Sequence, residues 1–205
     1  MVKGLSKDFE NHWFNQGFRS VIGVDEVGRG SLAGPVVAAA VMINPETPVI
    51  PGVNDSKMLS AKARQSLQPN LRTSLYRWSI ASVSPKVVDR VGILKATLLA
   101  MKYAIKKILP ADLVLIDGLF TPTIKVVAPL TLLAVPHGDR QSYAIAAASI
   151  MAKVFRDRLM DRLDRQTPVY QWKRNKGYGT AHHLEALKKY GPSACHRRSY
   201  IDHLV

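Results

Sequence analysis

Two acids stand side by side at Asp25 and Glu26, closing the apolar run that begins at Val21 and leading into Gly28-Arg29-Gly30. A third, Asp117, ends "LVLIDG" in the same manner, apolar residues first and then an acid and a glycine. A carboxylate entering a core must be paired, hydrogen-bonded or bound to a cation, because its desolvation otherwise costs several kcal/mol. Strand-end acids from two strands can meet at one edge of a sheet, where their hard oxygens suit Mg²⁺ or Mn²⁺. No Cys/His cluster suggests zinc. Neighbouring strand residues point to opposite faces, so Asp25 and Glu26 share a site only if the strand ends or bulges there; Gly28 and Gly30 permit that. Asp117 taken alone reads equally well as an ordinary Asp-Gly turn. Two adjacent acids and a glycine-flanked arginine are more than a turn requires.

The glycines Gly28, Gly30 and Gly34 have the spacing G-x-G-x-x-x-G, with an apolar, strand-like run after them. That departs from the dinucleotide fingerprint, which opens a helix, and no phosphate-loop sequence is present. The loop is better suited to bringing backbone N–H groups close to a phosphate or sugar.

The elements that must position these residues follow from pattern. "SVIGVDEV" and "GPVVAAAVMI" are apolar, β-branched runs that read as neighbouring strands. "LSAKARQSLQPNL" reads as a short helix capped by Ser60, and "YRWSIASVS" alternates like a strand. In "GILKATLLAMKYAIKKIL", Leu94, Leu98, Met101, Ile105 and Ile108 share one helical face, and Pro110 closes the segment. "DLVLIDG" reads as a buried strand, and "KVVAPLTLLAVP" as one or two more. "QSYAIAAASIMAKVFRDRLMDRLDR" is a long helix, small and apolar first, charged later. A loop "KRNKGYGT", a helix "AHHLEALKKY" and a basic tail follow. Strands first, then strands and helices alternating, predict an α/β domain with a mixed sheet, its first strands antiparallel.

At 205 residues the chain suits one domain with a full core, and 47% hydrophobic residues exclude disorder as the default. The net charge of +14, from 29 Lys and Arg against 15 Asp and Glu, favours an anionic partner, of which nucleic acid is the commonest. The single cysteine, Cys195, allows no internal disulfide and suits a reducing compartment. With no signal-like leader and no apolar run near the ~20 residues of a membrane helix, a cytoplasmic location away from membranes is expected. Nothing indicates an oligomer, and a monomer is expected.

"VDEVGRGSLAGPVVAAAV", "NDSKMLS", "LVLIDG", "AIAAASIMAKVFRD", "NKGYGTAHH" and "HRRSY" resemble, in order, the ribonuclease HII family, the bacterial type 2 ribonuclease H. The resemblance implies a ribonuclease H-like mixed sheet flanked by helices, one domain over residues 1–205, its C-terminal helical part from about 166 to 205 contacting substrate. It implies Mg²⁺- or Mn²⁺-dependent cutting of RNA paired with DNA, and of duplex DNA 5′ of embedded ribonucleotides. The family's acids fall on Asp25, Glu26, Asp117 and Asp157, as both catalytic residues and metal ligands. Asp157, Asp161 and Asp164 recur at helical spacing, and pattern alone does not choose among them; the A-K-V-x-R-D block selects Asp157. By the same resemblance Gly28, Arg29 and Gly30 contact the ribonucleotide, Tyr178 packs on the sugar at the RNA–DNA junction, and Lys57 contacts phosphate. Ser142, Ser149 and Arg197 fall at positions near the nucleic-acid backbone. His137 stands before Gly138-Asp139 where the family usually has lysine. Two other classes fit parts of the sequence. A non-catalytic nucleic-acid binder explains the charge but not the clustered acids. A metal-dependent DNA nuclease of the same fold would cut all-DNA duplex.

Overall fold

The computed structural model describes residues 4–127 and 129–203. Five strands form one mixed sheet in the order β3-β2-β1-β4-β5. Strands β1 (Val21–Val27), β2 (Val36–Ile43) and β3 (Arg77–Val83) make an antiparallel meander. Strands β4 (Leu113–Asp117) and β5 (Thr131–Val135) join on the other side of β1, parallel to it. The first two strands are therefore neighbours, as their sequence predicts. "KVVAPLTLLAVP" supplies one strand only, and Ala128 within it lies outside the described residues.

Side chains on the central strands explain why both faces are covered. Every residue of β2 is buried, the continuous apolar reading of a strand packed on two sides. Helix α5 (Tyr143–Gln166) covers one face with its small, buried first half, including Ala144, Ala146, Ala147 and Ala148. It comes so near that a Cβ on Gly23 of β1 would lie 2.2 Å from the Ala144 carbonyl carbon. Only glycine permits that approach.

Helix α4 (Ile93–Lys106) covers the other face. Its buried stripe runs through Ala96, Ala100, Met101, Ala104 and Ile105, while Leu94 is 38% exposed. Of the expected face, Met101, Ile105 and Ile108 are buried and Leu98 packs against the core; Leu94 alone turns outward, because the alanines let the helix settle closer to the sheet than leucines would. Helices α1 (Asp8–Phe14), α2 (Ala61–Ser74) and α3 (Pro85–Val91) complete the layers. Ser60 caps α2 by accepting from Ala63 N–H at 3.1 Å, as its sequence predicts.

A third, smaller core lies under the C-terminal segment, where α6 (Trp172–Asn175), α7 (Ala181–Tyr190) and α8 (Arg198–Ile201) gather around Trp172, Tyr170 and Leu187. Backbone bonds tie this segment to the loop after β1: Gly34 N–H donates to Cys195 C=O at 2.8 Å and Arg197 N–H to Leu32 C=O at 2.8 Å. Among the described residues no helix is long and apolar enough to cross a membrane.

Candidate metal centre and nucleic-acid face

Because β1 and β4 lie side by side and parallel, both present their acids at the same edge of the sheet. One oxygen each from Asp25, Asp117 and Asp139 lies within 4.8 Å of the others. Asp25 is 4% exposed, and Asp139 sits in the single 3₁₀ turn Gly138–Arg140 that follows β5. Asp117 is held by Gly138 N–H, which donates to its Oδ1 at 2.7 Å. Burial first, then the charges of Glu26 and Asp117, push the Asp25 carboxyl well above its ordinary range, against hydrogen bonds from Ser149 and the Glu26 N–H. Burial and the neighbouring Asp139 raise Asp117 likewise. Acids gathered this closely repel one another and resist ionising unless a cation answers them. Three hard oxygen donors converging on one point are the set that Mg²⁺ or Mn²⁺ takes.

The structure departs from the expected strand end at these acids. The β1 strand neither ends nor bulges at the acids: Asp25 and Glu26 stay in unbroken register opposite Ala39 and Ala38. Alternation therefore turns Glu26 away from the close group, toward Arg29, whose Nη1 lies 3.4 Å from Glu26 Oε1. Glu26 remains within electrostatic reach, its carboxyl raised by burial, lowered by Arg29 and raised again by Asp117. Asp157 is placed differently. Its carboxylate lies outside the close group and is held by Lys153 at 2.9 Å and Arg64 at 3.7 Å. Two cations already answer its charge, and Asp139 completes the group instead. Sequence reasoning passed over Asp139, although "LLAVPHGD" repeats the signal of "LVLIDG", an apolar strand leading to glycine and acid.

Asp157 braces the site from outside. The Arg64 guanidinium that pairs with it also donates to Ser56 C=O at 2.7 Å and Leu59 C=O at 2.6 Å, fixing the loop that carries Lys57. Lys57 Nζ lies 3.1 Å from Asp139 Oδ2, and Arg140 Nε lies 3.3 Å from Asp55 Oδ2. These crossing pairs lock residues 54–57 to the turn bearing Asp139. Burial opposes the Lys57 ammonium, yet Asp139, Asp55 and Asp25 outweigh it and raise its pKa. Ser149 lies beneath the acids, its hydroxyl 2.8 Å from that of Ser56 and hydrogen-bonded to Asp25. Ser142 is corrected as a surface contact. It is fully buried, donates to Glu10 Oε1 at 2.5 Å and caps α5 by accepting from Ile145 N–H. Asp161 pairs with Lys176.

Beside the acids lies the Gly28–Gly34 loop. Gly28 takes φ +92°, and a Cβ there would lie 2.2 Å from Arg156 Nε. Gly30 has neither constraint: nothing lies within 4 Å of the place its Cβ would fill. The Gly177 carbonyl accepts from Leu32 N–H at 2.8 Å and Ala33 N–H at 3.2 Å, which brings Tyr178 to this loop. Tyr178 is 38% exposed, with the Arg156 guanidinium 5.8 Å from its ring centre. Arg197 is corrected as a phosphate contact: it is fully buried beneath the loop.

Solved structures share this architecture. Ribonuclease H2 from Pyrococcus horikoshii OT3 superposes with a TM-score of 0.70 at 24% identity, covering 90% of this chain and 96% of that one. Bst-RNase HIII in complex with Mn²⁺ superposes with a TM-score of 0.69 at 20% identity, covering 87% of this chain and 66% of that one. The sheet order, the helices on both faces and the acids at one edge make this a ribonuclease H-like α/β protein. The sequence narrows it further. The family model described as Ribonuclease HII matches residues 22–203. Ribonuclease HII of Thermosynechococcus vestitus is 47% identical over 205 residues, covering 100% of this chain and 94% of the relative. That of Vibrio vulnificus is 42% identical over 201 residues, covering 98% and 95%. The chain belongs to the ribonuclease HII family and is a metal-dependent endoribonuclease of the ribonuclease H type.

Proposed function

We propose that this enzyme, an endoribonuclease for RNA–DNA hybrids, also cuts on the 5′ side of single ribonucleotides embedded in duplex DNA, leaving 3′-hydroxyl and 5′-phosphate ends. The observation that carries the reading is the convergence of Asp25, Asp117 and Asp139 oxygens within 4.8 Å of one another, beside a glycine loop open to a ligand at Gly30. Asp25, Asp117 and Asp139 would hold Mg²⁺ or Mn²⁺, with Glu26 adding its charge from the neighbouring face. A divalent ion held there would supply Lewis-acid charge, of use both for activating water and for stabilising the departing 3′-oxygen. Ser149 orients the Asp25 carboxylate toward that ligand position. Lys57, exposed at its tip, offers its ammonium to the phosphate next to the acids.

Recognition of RNA falls to the other side of the site. The 2′-hydroxyl is what separates a ribonucleotide from its deoxy counterpart. The backbone of Gly28, Arg29 and Gly30 offers close approach to it, and Tyr178 packs on the adjoining sugar. Phosphates of the duplex meet the basic surface, which needs no base sequence.

Incubation with a duplex carrying one ribonucleotide, in Mg²⁺, in Mn²⁺ and in chelator, tests the reading. Cleavage 5′ of the ribonucleotide is expected with either metal and none with chelator. Equal cutting of the all-DNA duplex would replace it with a DNA nuclease, and binding without cutting with a non-catalytic nucleic-acid binder. Binding is also expected to weaken steeply as salt rises.

A further inference from the structure

We propose that Arg197 and Arg156 are positioning residues for ribose recognition. Their buried guanidiniums draw the carbonyls of the Gly28–Pro35 loop inward, so that the N–H groups of Arg29 and Gly30 face the incoming sugar. The proposal rests on the ribonucleotide-cutting reading above.

Both guanidiniums are fully buried, and among the described residues neither forms an ion pair. Their hydrogen-bond acceptors are almost all backbone carbonyls, with the Tyr178 ring beside Arg156 and the Tyr200 ring beside Arg197. Arg197 donates from Nη2 to Gly28 C=O at 2.6 Å, from Nη1 to Arg29 C=O at 2.6 Å and from Nε to Gly34 C=O at 3.1 Å. Arg156 donates from Nε to Pro35 C=O at 3.0 Å and from Nη2 to Ala33 C=O at 3.1 Å. Its Nη2 also reaches Ser31 Oγ at 2.7 Å, and that hydroxyl donates to Gly28 C=O at 2.9 Å. Arg156 Nη1 donates to Lys176 C=O at 2.9 Å, which links the same cation to the chain bearing Tyr178.

Peptide geometry turns these bonds into a statement about the outer face. The Gly28 carbonyl shares a peptide unit with Arg29 N–H, and the Arg29 carbonyl shares one with Gly30 N–H. Both units are trans, so each N–H points opposite to its carbonyl. With both carbonyls drawn down onto Arg197, both N–H groups point away from it, and among the described residues neither donates a hydrogen bond. The empty space at Gly30 lies beside them. A surface loop can satisfy its carbonyls with water; burying two cations to do so is costly. The arrangement is intelligible where the direction of those peptide units matters. Arginine is suited to it because one planar fork serves several acceptors in a fixed geometry, which a lysine ammonium does not.

The test compares wild type with Arg197→Lys and Arg156→Lys in three measurements. These are kcat/KM on a duplex with one ribonucleotide, the inhibition constant of the same all-DNA duplex, and the Mg²⁺ concentration for half-maximal rate. Misplacement of the sugar-contacting backbone is expected to lower kcat/KM by about 10²-fold, with the other two values within about twofold of wild type. Unchanged kcat/KM, or an inhibition constant that worsens in step with it, overturns the proposal. Should Arg197→Lys lose its cooperative melt, Arg156→Lys, which keeps Arg197 in place, is judged by the same ratio. Wild type that never cuts at the ribonucleotide defeats the underlying reading instead. Wild-type cutting with an unaltered ratio in the variants defeats only the role of the arginines.

Discussion

Charge is buried twice in this molecule, and the two burials differ in what answers them. At the edge of β1 and β4, Asp25, Asp117 and Asp139 crowd together, and burial and neighbouring acids raise the carboxyls of Asp25 and Asp117. Beneath the Gly28–Pro35 loop the buried cations Arg156 and Arg197 have no carboxylate partner among the described residues and are answered by backbone carbonyls, the Ser31 hydroxyl and the Tyr178 and Tyr200 rings. Carbonyl dipoles belong to the chain and stay with it. Among the described residues only Lys57 pairs with these acids, at Asp139, and under the proposed function the rest of their counter-charge comes from solution. The first region is therefore built to exchange ions and the second to stay closed, and each carries a different part of the same reaction.

The sharpest way to break this contrast is Asp25→Asn. Cleavage with Mg²⁺ is expected to fall by about 10³-fold. Melting in chelator is expected to rise, since a buried source of repulsion is removed. Near-wild-type turnover would end the metal-centre reading. Next comes a pair of variants. Asp139→Asn is expected to lose about 10²-fold or more, and Asp157→Asn about tenfold, because the latter acts only through Arg64 and the Lys57 loop. Steady-state rates rank the two, and the reverse order would restore Asp157 to the centre. Tyr178→Ala is expected to cost about tenfold in cutting at a single ribonucleotide, with the Mg²⁺ dependence unmoved. Equal loss in both measures would place Tyr178 elsewhere in the mechanism.

The two regions also titrate in opposite senses. His196 is buried against His183, their Nε2 atoms 3.0 Å apart, and Ser193 N–H donates to His196 Nδ1 at 2.9 Å. Burial, then the charge of His183, lower its pKa from 6.5 to about 4. Between those values the unfolded chain binds a proton that the folded chain refuses. This contribution to stability is therefore present above pH 6.5 and is lost as pH falls toward 4. The raised carboxyls act the other way: without metal, their protonated forms favour folding, and that contribution fades as pH rises through their folded pKa values. Melting curves in chelator across this range are expected to show a weaker acid loss in His196→Asn than in wild type. Parallel curves would show that His196 takes up no extra proton on unfolding.

Much of the architecture was legible because it rests on local signals. Alternation, β-branching and the glycine after Asp117 mark the strands, and the small-residue run of α5 marks the helix against the sheet. The site was legible where one short segment carries the chemistry, as at Asp25-Glu26 and Asp117. It was not where long-range pairing decides. Lys153 stands one helical turn before Asp157 and its pairing could have been read, but nothing adjacent in sequence shows that Arg64 also occupies Asp157, or that the Asp139 turn folds back onto β4. Ser142 and Arg197 read as surface polar groups, yet each is buried by partners far along the chain, Glu10 in one case and the Gly28 carbonyl in the other. Leu94 alone departs from its expected face, for a packing reason: leucine outweighs alanine in a pattern, while close approach to a sheet favours alanine.

Helix α5 carries Ala144 against Gly23, Ser149 under Asp25, and Arg156 against Gly28, all on one rigid rod. At about 100° and 1.5 Å per residue, inserting or deleting a single residue between Ser149 and Arg156 would swing the guanidinium off its carbonyls while the acids stayed put. The molecule thus keeps its cutting and its sensing halves in phase through a helical count, and length in this stretch is under tighter constraint than composition.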